Sequence, residues 1–288
     1  MVSLLTTCKG GEMEKPKGFR PQKPKVEATL KKIKYEILII SGKGGVGKST
    51  LAVNLAYSLA AKERSVGLLD VDIHGPSIGK MTGIEGVSLT VDENGKIKPA
   101  VKDGVRIVTM ASLLQSPDAP VIWRGPLKMK AIEQFLGDIN WGELDYLIID
   151  APPGTGDEPL SVCQLIPKLT GSVIITTPQD VALLDARKTV SFSRALGVPV
   201  IGIVENMSGF TCPYCGKKID IFKTGGAIKA AKQMNLNFLG DVPLDPKIVD
   251  SSDDGKPFIT AVEDNPNAEK LEQIAENIMN IIEKNKIT

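Results

Sequence analysis

Histidine is nearly absent: His74 is the only one in 288 residues. That excludes a multi-histidine metal site within one chain and leaves little scope for a Ser-His or Cys-His nucleophile system, so acid–base work falls to carboxylates and lysines. Cysteine is scarce as well. Four in a chain of this length do not make a disulfide framework, and each must be judged by its neighbours. Long apolar runs are missing: Ile37-Leu38-Ile39-Ile40 is typical, far short of the roughly 18–20 residues that span a bilayer. Leu4-Leu5 is too short for the apolar segment of a signal peptide, and no basic stretch with a cleavage site surrounds it. A reducing, cytoplasmic setting without stable membrane association is expected. The formal net charge of +1 supplies no overall attraction to nucleic acid, which is not expected as a partner.

What is present has a clear order. Residues 1–34 are rich in Lys, Pro and Gly, as in Glu14-Lys15-Pro16-Lys17-Gly18, and predict a flexible tail closing in a short helix. Residues 35–288 read as one α/β domain, in which short apolar runs lead into Gly-rich turns and then helix-like segments. Strands are expected at 37–41, 66–71, 105–109, 146–150, 172–176, 200–204 and 238–242; their continuous apolar character suits a mostly parallel central sheet flanked by helices on both faces. Leu51, Leu55 and Leu59 recur four apart, laying one apolar stripe on a helix after the first strand. Residues 87–98 alternate and turn at Asn94-Gly95, which predicts a hairpin insertion. A last helix is expected from Asn265 as N-cap and Pro266 as first helical residue, burying Leu271, Ile274, Ile278, Ile281 and Ile282.

Gly42-Lys43-Gly44-Gly45-Val46-Gly47-Lys48-Ser49 fits G-x-x-x-x-G-K-[ST] between a predicted strand and a predicted helix, the context a phosphate-binding loop requires. Its glycines let successive backbone N–H groups point at phosphate oxygens, and the helix N-terminus adds its positive end. Lys48 would neutralise the β- and γ-phosphates, Ser49 would offer a hydroxyl to Mg2+, and Thr50 would meet the α-phosphate. Without an anion between them, Lys43 and Lys48 would repel. The fold class is therefore a P-loop NTPase, and the nucleotide is expected to be ATP.

Asp150 closes the run Tyr146-Leu147-Ile148-Ile149 and so falls at the C-terminal edge of the sheet, where it would hold Mg2+ through water. Leu68-Leu69-Asp70-Val71-Asp72 ends another strand; Asp72, nearer the loop, is the expected catalytic acid, and Asp70 a structural turn acid. The following Ala151-Pro152-Pro153-Gly154-Thr155-Gly156-Asp157 is suited to a switch that senses the γ-phosphate. Cys212-Pro213-Tyr214-Cys215 brings two sulfurs to one side of a turn, for a metal, an iron–sulfur cluster or a reversible disulfide. Two thiolates are half of a four-cysteine set, and a two-fold dimer could supply the rest and bridge one 4Fe-4S cluster. Zinc would accept the same sulfurs. Cys163 reads as core and Cys8 lies in the tail.

Lys43 within Lys-Gly-Gly-Val-Gly-Lys-Ser is the second lysine of the deviant Walker A ATPases, the nitrogenase iron protein-like group. Together with Asp70-Val71-Asp72-Ile73-His74-Gly75-Pro76-Ser77, Trp123-Arg124-Gly125-Pro126, Asp150–Asp157 and Asn206-Met207-Ser208-Gly209-Phe210, it resembles the Mrp/ApbC family of iron–sulfur cluster carrier ATPases from about Lys34 to the C-terminus. The resemblance implies a homodimer in which Lys43 reaches the partner's nucleotide, Asn206 contacts adenine, Asp72 lies in the first switch, and Cys212 and Cys215 bind a labile 4Fe-4S cluster at the interface. It also implies slow ATP hydrolysis coupled to transfer, with apo iron–sulfur proteins and a cluster donor as partners. One tail cysteine cannot build the N-terminal cluster motif of some eukaryotic relatives. Competing expectations are a positioning or partitioning ATPase with a structural zinc, which Glu269, Glu272, Glu276 and Glu283 near the C-terminus disfavour at a membrane, and an ATP-gated reductase component, whose cluster cysteines lie far apart in sequence.

Overall fold

The computed structural model describes residues 23–72, 75–113, 125–166, 168–262 and 264–284. The expectations placed on Cys8, His74 and Trp123-Arg124, and on the tail before residue 23, lie outside them. Chain order gives α1 (Lys23–Leu30), β1 (Ile33–Ser41), α2 (Lys48–Ala61), β2 (Val66–Asp70), α3 (Ile78–Met81), β3 (Thr90–Val91), β4 (Ile97–Lys98), β5 (Ala100–Lys102) and β6 (Val105–Thr109). Then follow α4 (Gly125–Asp138), β7 (Leu144–Asp150), α5 (Asp157–Leu165), β8 (Gly171–Thr176), α6 (Asp180–Ala195), β9 (Val200–Thr211) and β10 (Lys218–Ile219). The chain closes with α7 (Gly226–Gln233), β11 (Phe238–Leu244), α8 (Pro246–Asp253), α9 (Phe258–Ala261) and α10 (Pro266–Glu283).

The sheet runs β11-β9-β8-β1-β7-β2-β6-β5 and is parallel except at β5, with β10 folded back antiparallel on the end of β9. Alternation along β1 explains why its apolar run is unbroken. Leu38 and Ile40 enter the core under α4, α5, α6 and α7, while Ile37 and Ile39 enter the core under α2 and α10. All seven expected strands form, and the hairpin insertion is the β3–β4 pair. The neighbours of β1 are β7 and β8, both far along the chain, so the turn leaving β1 opens at a crevice between crossovers, the usual ligand position in such sheets.

Three expectations need correction. The tail boundary at 34 falls inside β1, and the preceding α1 packs Val26 and Leu30 into the core. Lys and Pro in that stretch masked a short apolar face. The single stripe on α2 is also too narrow: Ala52, Val53, Ala56 and Tyr57 are buried with the leucines, because α9 and α10 cover the helix's outer side. Ile281 is only partly buried, whereas Leu271, Ile274, Ile278 and Ile282 lie in the core; the Asn265 side chain caps α10 by accepting from Asn267 N–H at 2.8 Å.

Candidate functional site

Between β1 and α2 the chain turns through Gly45 (φ 76°) and Gly47 (φ 89°), left-handed conformations that a side chain would strain. The turn is also wedged. A Cβ at Gly42 would lie 2.6 Å from Asp185 on α6, and one at Gly47 would lie 2.1 Å from Asn206 Nδ2 on β9. Asn206 Nδ2 donates to the Val46 carbonyl at 2.9 Å, tying the loop to β9. Asn206, Gly47, Thr50, Ile175, Val204 and Val242 line a narrow cleft beside the loop. The N-cap of α2 is Gly47, which brings no capping side chain, so among the described residues the first N–H groups of the helix remain available to an anion. Lys43 is half-buried and forms no ion pair among the described residues.

Lys48 is buried, and its Nζ lies 2.6 Å from Asp150 Oδ1 and 3.7 Å from Asp72 Oδ2. Ser49 Oγ donates to Asp150 Oδ2 at 2.6 Å. Asp70 and Asp150 are register partners on β2 and β7 and are wholly buried. Asp70 accepts from Thr109 Oγ1 at 2.8 Å and from Asp72 N–H at 3.0 Å, the local bond of a turn acid. Burial, reinforced by the Asp150 charge, pushes Asp70 up to about 8. Asp150 is also raised by burial, with Lys48 and Ser49 opposing. Asp72 accepts from Gly75 N–H at 3.2 Å. The Lys48 ammonium therefore lies between two buried carboxylates, Asp150 and Asp72, and the Ser49 hydroxyl and Asp150 are oxygen donors of the kind a hard divalent cation takes together with phosphate oxygens and water. The stretch after Asp150 is tied to β1 by Gly154 N–H donating to the Ser41 carbonyl at 2.7 Å.

The cysteines occupy a separate place. β9 continues past Asn206 as a ribbon, and Cys212 to Cys215 turn at its end before β10 returns. Cys212 is half-buried, Cys215 is exposed and Tyr214 is 97% exposed. The N–H groups of Tyr214 and Cys215 aim at Cys212 sulfur and, with the Cys215 thiol, hold it below the ordinary thiol range. No group of three or more His, Cys, Asp or Glu able to hold a metal occurs among the described residues. Cys163 packs against the core on α5, and burial pushes its thiol up to about 12, which fits its reading as core.

A phosphate-type loop with two buried acids at its mouth and a two-thiol turn on one strand narrows the possibilities, and comparison with known proteins decides among families. Residues 32–279 match the family model described as ParA: NUBPL iron-transfer P-loop NTPase. The chain belongs to this family. A relative from Saccharolobus solfataricus, named iron-sulfur cluster carrier protein, is 49% identical over 263 residues, covering 91% of this chain and 88% of that protein. A solved nucleotide-binding protein from Archaeoglobus fulgidus in complex with ADP has a TM-score of 0.75 at 36% identity, covering 87% of this chain and 97% of its own. The cell division ATPase MinD of Pyrococcus furiosus has a TM-score of 0.66 at 23% identity, covering 86% and 99%, and shares the fold. The chain is thus an α/β P-loop protein of a nucleotide-binding family. Among its described residues, no helix is long and apolar enough to cross a membrane.

The structure brings Gly42 to Thr50, Asp72, Asp150 and Asn206 together at one sheet edge and sets Cys212 and Cys215 apart on the ribbon. Two residues of the NTPase escaped the sequence reading. Asp185 sits against Gly42, and nothing in its helix marks it. Glu205 is buried and accepts from Ser208 Oγ at 2.6 Å, Gly225 N–H at 2.7 Å and Ala227 N–H at 2.5 Å. Its signal was available: an acid directly ending the apolar run Val200-Ile201-Gly202-Ile203-Val204.

Proposed function

We propose that this protein is a cytoplasmic ATP-binding and ATP-hydrolysing iron–sulfur cluster carrier, which holds one labile 4Fe-4S cluster between two copies and passes it to apoproteins. The observation that carries the reading is the exposed Cys212/Cys215 turn with no third metal-binding side chain among the described residues. A tetrathiolate set then needs the same turn from a second copy, related by a two-fold axis. Exposed Tyr214, Ile219, Ile221 and Ile228 around the turn support burial against that copy.

At the nucleotide end, Lys48 exchanges its carboxylate partners for the β- and γ-phosphates, and the N–H groups from Gly44 to Thr50 cradle the remaining oxygens. Ser49, and Asp150 through water, would hold Mg2+, which would supply charge neutralisation of the phosphates. Asp72 Oδ2 orients the attacking water and takes its proton. Asn206 borders the base, and Lys43, free of intrachain ion pairing among the described residues, reaches the partner's nucleotide. ATP binding and hydrolysis change the dimer arrangement and so gate loading or release of the cargo cluster, an acceptor's thiolates replacing Cys212 and Cys215 as ligands on transfer.

Anaerobic reconstitution with iron and sulfide tests the reading. About four irons and four sulfides per dimer, with a sulfide-dependent absorption band lost in the C212A/C215A variant, is the expected result. Retained zinc without that band would make the pair a structural clamp and remove the chemical basis for a carrier.

A further inference from the structure

Two consecutive residues of β9 face opposite layers, as strand geometry dictates. Asn206 points to the phosphate-loop side, donates to Val46 and stands against Gly47. Glu205 points to the α7 side, where its carboxylate gathers Ser208, Gly225 and Ala227. Ser208 lies at the start of the excursion that carries the cysteines, and Gly225 and Ala227 lie where the chain comes back into α7. Glu205 therefore closes the base of the whole cysteine excursion. Its grip is strong for a single side chain: the acceptor is a buried carboxylate, 1% exposed, and every bond is 2.7 Å or shorter. Met207 and Gly209, immediately beyond, adopt positive φ (57° and 75°), so the strand departs from regular geometry just where the clamp begins.

We propose that Glu205 is a positioning residue coupling the two sites: displacement of Asn206 when the phosphate loop changes state is carried along β9 to Glu205, which resets the cysteine turn. This rests on reading the loop as the nucleotide site and Cys212/Cys215 as ligands. Packed elements respond to such displacements by switching between arrangements rather than by stretching, so a small shift at Val46 suffices. Coupling requires that ATP favour one arrangement, and the proposal places that differential contact at the Asn206–Val46 bond, which touches the loop directly.

The test uses full-length, metal-free protein carrying Cys8→Ser and Cys163→Ala, so that only the pair reports. Iodoacetamide alkylation is timed with and without Mg-ATP, and ATP affinity is measured with a fluorescent ATP analogue. Expected is a several-fold change in alkylation rate with Mg-ATP that shrinks to within about twofold in Glu205→Gln, while ATP still binds with an affinity within a few-fold of the reference. A residue that merely caps α7 would shift both rates alike and leave their ratio intact, which would overturn the proposal. So would a reference protein whose alkylation ignores ATP. If Glu205→Gln does not fold, Ser208→Ala removes one of the clamp's bonds and should weaken the ratio; an unchanged ratio there counts against the proposal. The assay holds no cluster, so coupled alkylation alongside failed iron–sulfur reconstitution would keep the coupling and sink the carrier reading. Absence of ATP binding would overturn both.

Discussion

Lys48 Nζ lies 2.6 Å from Asp150 Oδ1, and neither side chain is more than 7% exposed. The phosphate-loop cation is thus held by a buried acid at the same edge of the sheet. Lys48→Met would strand Asp150 in the interior, where breaking a buried pair costs about 3–5 kcal/mol. Urea unfolding should show that loss, and ATP affinity should fall at least about 100-fold, near 2.7 kcal/mol. Adding Asp150→Asn should recover most of the stability and none of the affinity. Unaltered ATP binding in Lys48→Met would refute the loop assignment.

Asp72 makes a weaker contact with Lys48, at 3.7 Å, and holds Gly75 N–H. Asp72→Asn keeps the shape and removes the base proposed above. Phosphate release should drop by about 100-fold or more, the usual share of general base catalysis, with ATP affinity within a few-fold of wild type. Equal hydrolysis rates would assign water activation elsewhere.

The cysteines should separate by pH. Cys212 is held below the ordinary thiol range by N–H groups of its own turn, whereas burial pushes Cys163 up to about 12. In single-cysteine variants, alkylation of Cys212 should have its midpoint below that of a free thiol, and Cys163 should stay nearly unreactive through pH 9. Matching profiles would mean that the turn does not favour the thiolate.

At the opposite end of β1, Glu36 is 7% exposed, and burial pushes it from 4.5 to about 7 against Thr170 and backbone bonds. Between those values the native chain binds more protons than the unfolded chain, so this group's contribution is full below about pH 4.5 and is lost as pH rises through 7. Relative to Glu36→Gln, wild type should lose on the order of 2–3 kcal/mol across that window, measured by urea unfolding at pH 5 and pH 8. Parallel losses in both proteins would place the slope in other groups.

The fold was legible because its signals are local and repeated. Each β-strand fully covered on both faces reads as an apolar run, and the phosphate loop is contiguous. Asp150 and Asp72 were legible by the same logic, since strand ends in a parallel sheet share an edge. Contacts that depend on elements distant in sequence were not. Asp185 meets Gly42 only because α6 crosses beneath the loop, and the far side of α2 is buried only because α10 returns over it. The reach of α1 was hidden for another reason: two apolar residues, Val26 and Leu30, sit among lysines and make too faint a period.

The Glu205–Asn206 pair also bears on which insertions and deletions the chain can tolerate. A single residue added to β9 ahead of the pair would swap the faces of both side chains, removing Asn206 from Val46 and Glu205 from Gly225 and Ala227 in one event. Residues between Thr211 and Lys218 carry no such constraint beyond the spacing of the two cysteines, because the clamp and the pairing of β9 with β10 and β11 fix where they leave and return. Length variation among descendants of this sequence should therefore gather at the tip, beside the cysteines, and stop at Thr211 and Lys218.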